Sequence, residues 1–502
     1  MQTGVVNGRI LMLSSFSCGA CVMVLELAGS RVVAPYMGTS LVVWTSLIGI
    51  VMLSLTLGYW LGGIVSDRHP RPELLSNIIG AAGVATIVIA LVANPLLSAL
   101  AAGVRNVYVA SVIACALLFS VPSALLGMVS PFIVRLAMQS VVSSGGTVGK
   151  FSAVSSAGSI LGTFLGGFVL ISFFSSLTII FMVAFVLGVV AVLLRGFSSR
   201  SLRTPHAIIA IAAVVLGGLS EVKPLFAKLD GFTFETRYNT IRIMERTAFG
   251  TNLKIRILQT DPMGAQSLMY FDRPSDLYSD YTKFYDLAFH YKPDAQNVLM
   301  LGGGGYCVPR HITETRPHVA IDVVELDPGI TEAARNYFFL TDRPGQRIFH
   351  EDARIFLNRE SAAGERRYDA VFGDVFGSSY SIPFHLTTIE CMRKIRALLS
   401  DDGVFIVNII SSLDGELFGG IYSSIASVFP SVMIYPATYP NSVGTRQNIM
   451  IVALASDDAP YRAPENEYMA NLLLHRWTNR FEPGIAAFTD AFAPVEKYSI
   501  SL

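Results

Sequence analysis

An apolar run at Val298–Leu301 ends in four consecutive glycines, Gly302, Gly303, Gly304 and Gly305, and a second apolar run at Val323–Val324 ends in Glu325. A strand that runs into glycines, followed by a strand that ends in an acid, is the layout of a nucleotide-binding βαβ unit. The glycines let the backbone come close to a ligand, and the acid accepts hydrogen bonds from ribose hydroxyls. Asp352 follows a further short strand, at a loop where an adenine amino group would be read, and Asp374 ends the strand begun by Tyr368–Phe372. A single strand-end Asp often only caps the next helix. The ordered set points to a bound nucleoside.

The elements that must hold these residues alternate. Strands at 298–301, 319–326, 368–372 and 403–407, with helices after the glycines and at 387–399, predict a doubly wound, mainly parallel sheet whose ligand lies at the carboxyl ends of its strands. Before it, 234–244 and 253–258 alternate apolar and polar residues with the period of half-buried strands, which predicts a small β module.

Ahead of both lies a different kind of chain. Of 502 residues, 52% are hydrophobic and only 15% charged, too apolar for an ordinary soluble protein. The excess falls before about Lys223. Apolar stretches at 10–30, 40–65, 75–98, 107–135, 149–174 and 176–195, with a shorter one at 206–220, are each read as a membrane span against the roughly 20 residues that a crossing takes. The fold class expected is therefore a multi-pass α-helical membrane domain over 1–222 with about seven spans. A β-strand module over 232–285 follows, then an α/β Rossmann-like, class I methyltransferase-type domain over 286–502. Basic residues gather in alternate loops (Arg68, Arg71; Arg135, Lys150; Arg195, Arg200, Arg203), which puts the N-terminus in the cytoplasm. An odd number of spans would then send the C-terminal half outward, whereas a nucleoside made in the cytoplasm favours the cytoplasmic side of the inner, or plasma, membrane.

Lys+Arg and Asp+Glu balance at 37 each, so no bulk charge draws in nucleic acid. Five cysteines, three of them in apolar helical segments, give neither a disulfide framework nor a zinc site.

The series Tyr238–Ile241, Tyr281, His290, the 298–304 run, Val324–Asp327, His350–Asp352, Tyr368–Asp374, Leu386–Thr388 and Tyr439–Pro440 resembles spermidine synthases, the polyamine aminopropyltransferases, and the whole chain resembles their membrane-fused members. The resemblance implies a β-hairpin domain ahead of a methyltransferase-type fold and transfer of an aminopropyl group from decarboxylated S-adenosylmethionine, leaving methylthioadenosine. It implies that Glu325 binds the ribose and Asp352 the adenine, with Asp374 as the catalytic aspartate. Tyr281 would be the gate tyrosine beside it, and Asn239 would stand for the glutamine lining the methionine-derived tail. No metal and no cofactor beyond the donor, intact or decarboxylated, are expected. The expected partners are that nucleoside and the lipid bilayer, with a homo-oligomer implied by soluble relatives.

Three departures fall on the acceptor side. The family's glycine loop carries an Asp where this chain has Gly305, and the second acid of its catalytic loop is here Gly377; the gate glutamine is Thr282. A diammonium acceptor needs carboxylates to replace its water. A tail that keeps its own carboxylate is repelled by them. The expectation is a lyase in which the carboxylate of S-adenosylmethionine attacks its own Cγ to give homoserine lactone. The alternatives are an aminopropyltransferase with an unusual amine acceptor, and a polyamine transporter or sensor with a nucleoside-binding domain.

Overall fold

The computed structural model describes residues 7–38, 40–104, 106–138, 144–195, 204–226, 232–248, 250–260, 264–364, 367–375, 382–438, 443–457 and 462–500. Gly377, Tyr439, Pro440 and the basic residues Arg200 and Arg203 lie outside them. The chain divides into two compact units, Met1–Lys228 and Leu229–Leu502.

The described residues of the first unit form helices: α1 Gly8–Met37, α2 Leu41–Arg68, α3 Pro72–Gly103, α4 Val107–Gly127, α5 Val129–Ala137, α6 Ser144–Phe164, a π-helical stretch at Leu165–Leu170, the short α7 Ile171–Phe173, α8 Ser176–Arg195 and α9 Thr204–Phe226. Six of its helical segments are long and apolar enough to cross a membrane, and the apolar part of α9 is shorter, Pro205–Gly218. In hydrocarbon every backbone polar group must be satisfied within the segment, and an uninterrupted helix does this. Association there cannot rely on burying apolar surface, so small residues set the contacts. A Cβ on Gly158 of α6 would collide with the Phe16 carbonyl of α1, and one on Gly162 would sit 2.5 Å from that of Ala20.

Polar contacts join helix ends. Arg135, ending α5, pairs with Asp67, ending α2, at 3.1 Å. Arg195, ending α8, bonds Asn77 near the start of α3. Both contacts tie together ends that alternate crossings put on one face. From there α9 runs back along α8, with Gly188 against Ala210 and Gly217 against Phe181.

The second unit begins with β1 Phe232–Glu235, β2 Thr240–Thr247, β3 Lys254–Gln259 and β4 Ser267–Tyr270, paired in that order as an antiparallel sheet. After α10 Asp280–Lys283 and α11 Leu287–Tyr291 come β5 Asn297–Leu301, α12 Cys307–Thr315, β6 Ala320–Val324, α13 Pro328–Tyr337, β7 Gln346–Phe349, α14 Ala353–Ala362, β8 Tyr368–Gly373, α15 Ile389–Leu398, β9 Leu399–Ser411, α16 Glu416–Ala426, β10 Ser431–Pro436, β11 Gln447–Leu454, α17 Glu467–Leu474 and α18 Val495–Ile500. The sheet order is β10-β11-β9-β8-β5-β6-β7. β5 to β9 are parallel, and the β10–β11 hairpin closes one edge antiparallel. This is the class I methyltransferase-type sheet.

Its strands are buried on both faces, which is why they read as near-continuous apolar runs. Val298, Met300, Val323, Phe372 and Ile406 face one core, and Leu299, Leu301, Val324, Val371 and Phe405 face the other. Strand order reverses at β5, between β6 and β8, and a ligand crevice opens at the carboxyl ends of strands at such a switch point.

Gly158→Leu should wedge α1 from α6 and destabilise the helical unit by about 1–3 kcal/mol, the usual cost of overpacking. Gly63→Leu, at a glycine with open space beside it, is the control. Thermal unfolding in detergent should show a lowered midpoint for the first substitution and an unchanged one for the second.

Candidate active site

A cavity in the second unit lies at the carboxyl ends of β5, β8 and β9, walled on one side by β4 and α10. Gly303, Gly304, Tyr281, Asp374, Asn408 and Asn448 line it. So do Gln266, Ser267 and Cys307. Among the described residues lining it, Asp374 is the one carboxylate.

Asp374 follows β8 directly, and its backbone N–H donates to the Leu301 carbonyl at 2.9 Å, which fixes the strand end beside the glycine loop. Its two carboxyl oxygens accept from the Tyr281 hydroxyl at 3.2 Å and from the Asn408 amide nitrogen at 3.1 Å. The Asn408 carbonyl oxygen in turn accepts from the Asn448 amide at 2.9 Å. Burial pushes the Asp374 carboxyl from the ordinary 3.8 up to about 6, and the bonds from Asn408 and Tyr281 restrain the rise. Burial, and then the adjacent Asp374 charge, raises the Tyr281 hydroxyl well above its usual value, so it stays a donor.

The glycine loop is held from the other side. Glu325 accepts from the N–H groups of Gly303 at 2.9 Å and Gly304 at 3.3 Å with one oxygen, and from that of Asp327 at 2.9 Å with the other. Burial raises its carboxyl, against the pull of these backbone donors. Glu325 thus fastens the loop to the end of β6. Gly302 has φ +92°, and a Cβ there would strike the Asp374 carbonyl.

The remaining expected site residues lie elsewhere. Asp352 caps α14, accepting from the N–H groups of Arg354 at 2.8 Å and Ile355 at 3.1 Å, and its other oxygen faces His385 Nε2 at 3.3 Å. It stands past the end of β7, two strands along the sheet from β5, and is absent from the cavity lining described above. Asn239 is not on that wall either. Its amide donates to Asp327 at 2.9 Å, beside a Thr236 hydroxyl that donates to the same oxygen at 2.5 Å, so the β1–β2 turn is pinned to the end of β6. Gly305 packs rather than lines: its N–H donates to Ser267 Oγ at 2.8 Å, and a Cβ on it would meet the Ser267 Cβ at 2.9 Å and the Phe338 ring at 3.0 Å. The missing acid of the glycine loop is therefore matched by a β4 wall that leaves a side chain no room.

Sequence reasoning passed over Asn408, Asn448 and Ser267. The available signal for Asn408 was a polar residue directly after the apolar run 403–407, at the carboxyl end of a strand. His311, on α12, bonds Asp286 at 3.1 Å through Nε2 and the Ser275 carbonyl at 3.0 Å through Nδ1. Asp286 also accepts from Arg316 at 2.9 Å and Tyr468 at 2.8 Å. Burial works against that carboxylate, but its partners hold it below its usual range. The cluster locks α12 behind the loop and is structural.

Comparison with known proteins finds similarity across the second unit. Residues 282–460 match the spermine/spermidine synthase domain. The polyamine aminopropyltransferase of Vibrio vulnificus is 30% identical over 197 residues, covering 39% of this chain and 64% of its own length. A probable polyamine aminopropyl transferase of Bifidobacterium longum is 27% identical over 260 residues, covering 48% of this chain and 53% of its own. The chain thus spans between half and two thirds of these relatives. The eEF1A lysine and N-terminal methyltransferase of Danio rerio is 28% identical over 151 residues, 29% of this chain and 22% of its own. The structure of a probable spermidine synthase from Corynebacterium glutamicum has a TM-score of 0.44 at 20% identity, covering 52% of this chain and 97% of that one. The fold is that of a class I methyltransferase-type unit. Within that class the unit is spermidine synthase-like.

Because the folded-state value of Asp374 lies above the unfolded one, this carboxyl costs no stability below about pH 4 and costs progressively more as pH rises to 6. Asp374→Asn should therefore be the more stable protein at pH 8, by about 3 kcal/mol at 1.36 kcal/mol per pKa unit, with the advantage shrinking from pH 6 to pH 4. Thermal unfolding across that range checks the sign.

Proposed function

We propose that the second unit binds S-adenosylmethionine and breaks its Cγ–S bond to release methylthioadenosine, as a lyase that forms homoserine lactone. The observation that carries the reading is a cavity whose described lining holds a single carboxylate, Asp374, among amides and hydroxyls. A diammonium acceptor would meet too few acids there to replace its water. A zwitterionic tail finds one acid for its ammonium and neutral donors for its carboxylate. The reaction then needs no second substrate. A carboxylate oxygen of the tail bonds to Cγ, the Cγ–S pair leaves with sulfur, and a five-membered lactone and a neutral thioether result. Holding the tail folded supplies the acceleration through proximity, and the charge annihilated in the step suits a partly desolvated site. Asp374, ionised above about pH 6, anchors the ammonium. Glu325 and the Gly302–Gly304 loop would face the ribose, and Asp352 the adenine.

A second reading is favoured by the names of the relatives: aminopropyl transfer from decarboxylated S-adenosylmethionine to an amine. Incubating the purified protein with either donor, alone and with putrescine or spermidine, and resolving products by mass spectrometry separates the two. Methylthioadenosine with homoserine or its lactone, formed without amine, is the expected result. Methylthioadenosine formed only from the decarboxylated donor with an amine would replace it by the transferase. Asp374→Asn should abolish turnover and leave nucleoside binding largely intact.

The six apolar helices, with α9, would make the protein integral to the inner membrane. Supply of the donor favours a cytoplasmic catalytic unit. The antiparallel run of α9 along α8 favours a chain that leaves the helical unit opposite the basic loops. A C-terminal alkaline phosphatase or green fluorescent protein fusion decides: fluorescence without phosphatase activity means the cytoplasm, and the reverse means the far side.

A further inference from the structure

We infer that Asn448, oriented through Asn408, reads the polar end of the donor's tail and selects a tail that carries a carboxylate. This deepens the reading of the cavity as a Cγ–S cleavage site and rests on it.

The orientation of the two amides follows from Asp374. An ionised carboxylate only accepts hydrogen bonds, so Asn408 must turn its nitrogen toward it, as the 3.1 Å contact has it. That leaves the Asn408 oxygen facing away, and Asn448 must answer it with a nitrogen, at 2.9 Å. The register makes this possible. Asn408 lies opposite Met450 and Asn448 opposite Ile410, so the two asparagines are diagonal neighbours on one face of the β9–β11 pair. The chain of donors is thus polarised toward Asp374. An amide nitrogen carries two hydrogens, and this chain uses one of those on Asn448. Asn448 is part of the cavity wall, so its second N–H is a donor available to a ligand there.

The balance of the lining says which ligand. Gln266, Asn408 and Asn448 contribute three amides, against the one carboxylate of Asp374. Amide donors stabilise a carboxylate, whereas a tail ending in an ammonium alone is better held by acids. Gly305, packed against Ser267 and Phe338, leaves no place for a further acid on the loop side. Discrimination between intact and decarboxylated donor therefore falls to the β9–β11 side of the cavity. Asn408 acts through its neighbours and is a positioning residue; Asn448 is the one that meets the tail.

The test is the ratio of kcat/KM for S-adenosylmethionine to that for its decarboxylated form, read as methylthioadenosine release, in the full-length protein and in Asn448→Ala and Asn448→Asp. The ratio should fall about 10- to 100-fold in Asn448→Ala, the worth of one hydrogen bond to a charged group. It should fall further in Asn448→Asp, where an acid replaces the donor. Calorimetric binding of the two nucleosides gives the same ratio without turnover and serves for any variant that is folded but inactive. Asn448→Ser replaces Asn448→Asp if the latter does not fold. An unchanged ratio, with both donors losing equally, would make Asn448 structural and overturn the inference. Wild-type protein that binds or turns over only the decarboxylated donor would overturn the cleavage reading itself, a distinct outcome.

Discussion

The ends of β5 and β8 approach so closely that Gly302 has space for hydrogen alone. A Cβ there would collide with the Asp374 carbonyl, and the backbone at φ +92° is one that other residues rarely adopt. This contact makes the crevice at the switch point. It sets the glycine loop beside Asp374 and lets Leu301 accept from the Asp374 N–H at 2.9 Å. It also presents the N–H groups of Gly303 and Gly304 to Glu325. The loop is consequently bound on both sides, by β8 through backbone and by β6 through a carboxylate. A ligand lying over it meets a frame that is already built, which is the preorganisation that binding and catalysis both need.

Electrostatics then gives the cavity its character. Burying a carboxylate is costly, and the rise of Asp374 to about 6 measures that cost. Tyr281 and Asn408 limit it with neutral donors rather than a cation. An arginine or lysine in the same place would have quenched the negative charge. Asp286, by contrast, is a buried carboxylate paired with a cation, Arg316, and bonded to His311 behind the site.

The helical unit obeys a different constraint. Small residues there meet backbone, as at Gly158 and Gly162 against α1, the close approach expected of helices that pack in hydrocarbon. Polar contacts appear at helix ends, in Arg135 with Asp67 and Arg195 with Asn77.

The architecture was legible in the sequence wherever a local period or a long apolar run carried it. The helices of the first unit, the strand–glycine–helix start at 298–307 and the strand ending at Asp374 all announce themselves within one segment. Apolar burial on both sheet faces also made β9 readable at 403–407, though the structure extends it to Leu399–Ser411. What depended on distant pairing was not legible. The antiparallel β10–β11 edge places Asn448 beside Asn408, and no local signal in either strand reveals the other. Asn239, expected at the tail, bonds Asp327, and hydrogen bonding at the end of β6 fixes the β1–β2 turn there. Gly305 reads as a lost charge, yet its surroundings are the packed β4 wall. The sequence by itself determined which residues end strands and which segments are apolar, because those are properties of a residue and its near neighbours. Only the tertiary structure decided which side chains share the cavity, because strand order and diagonal register join residues far apart in the chain.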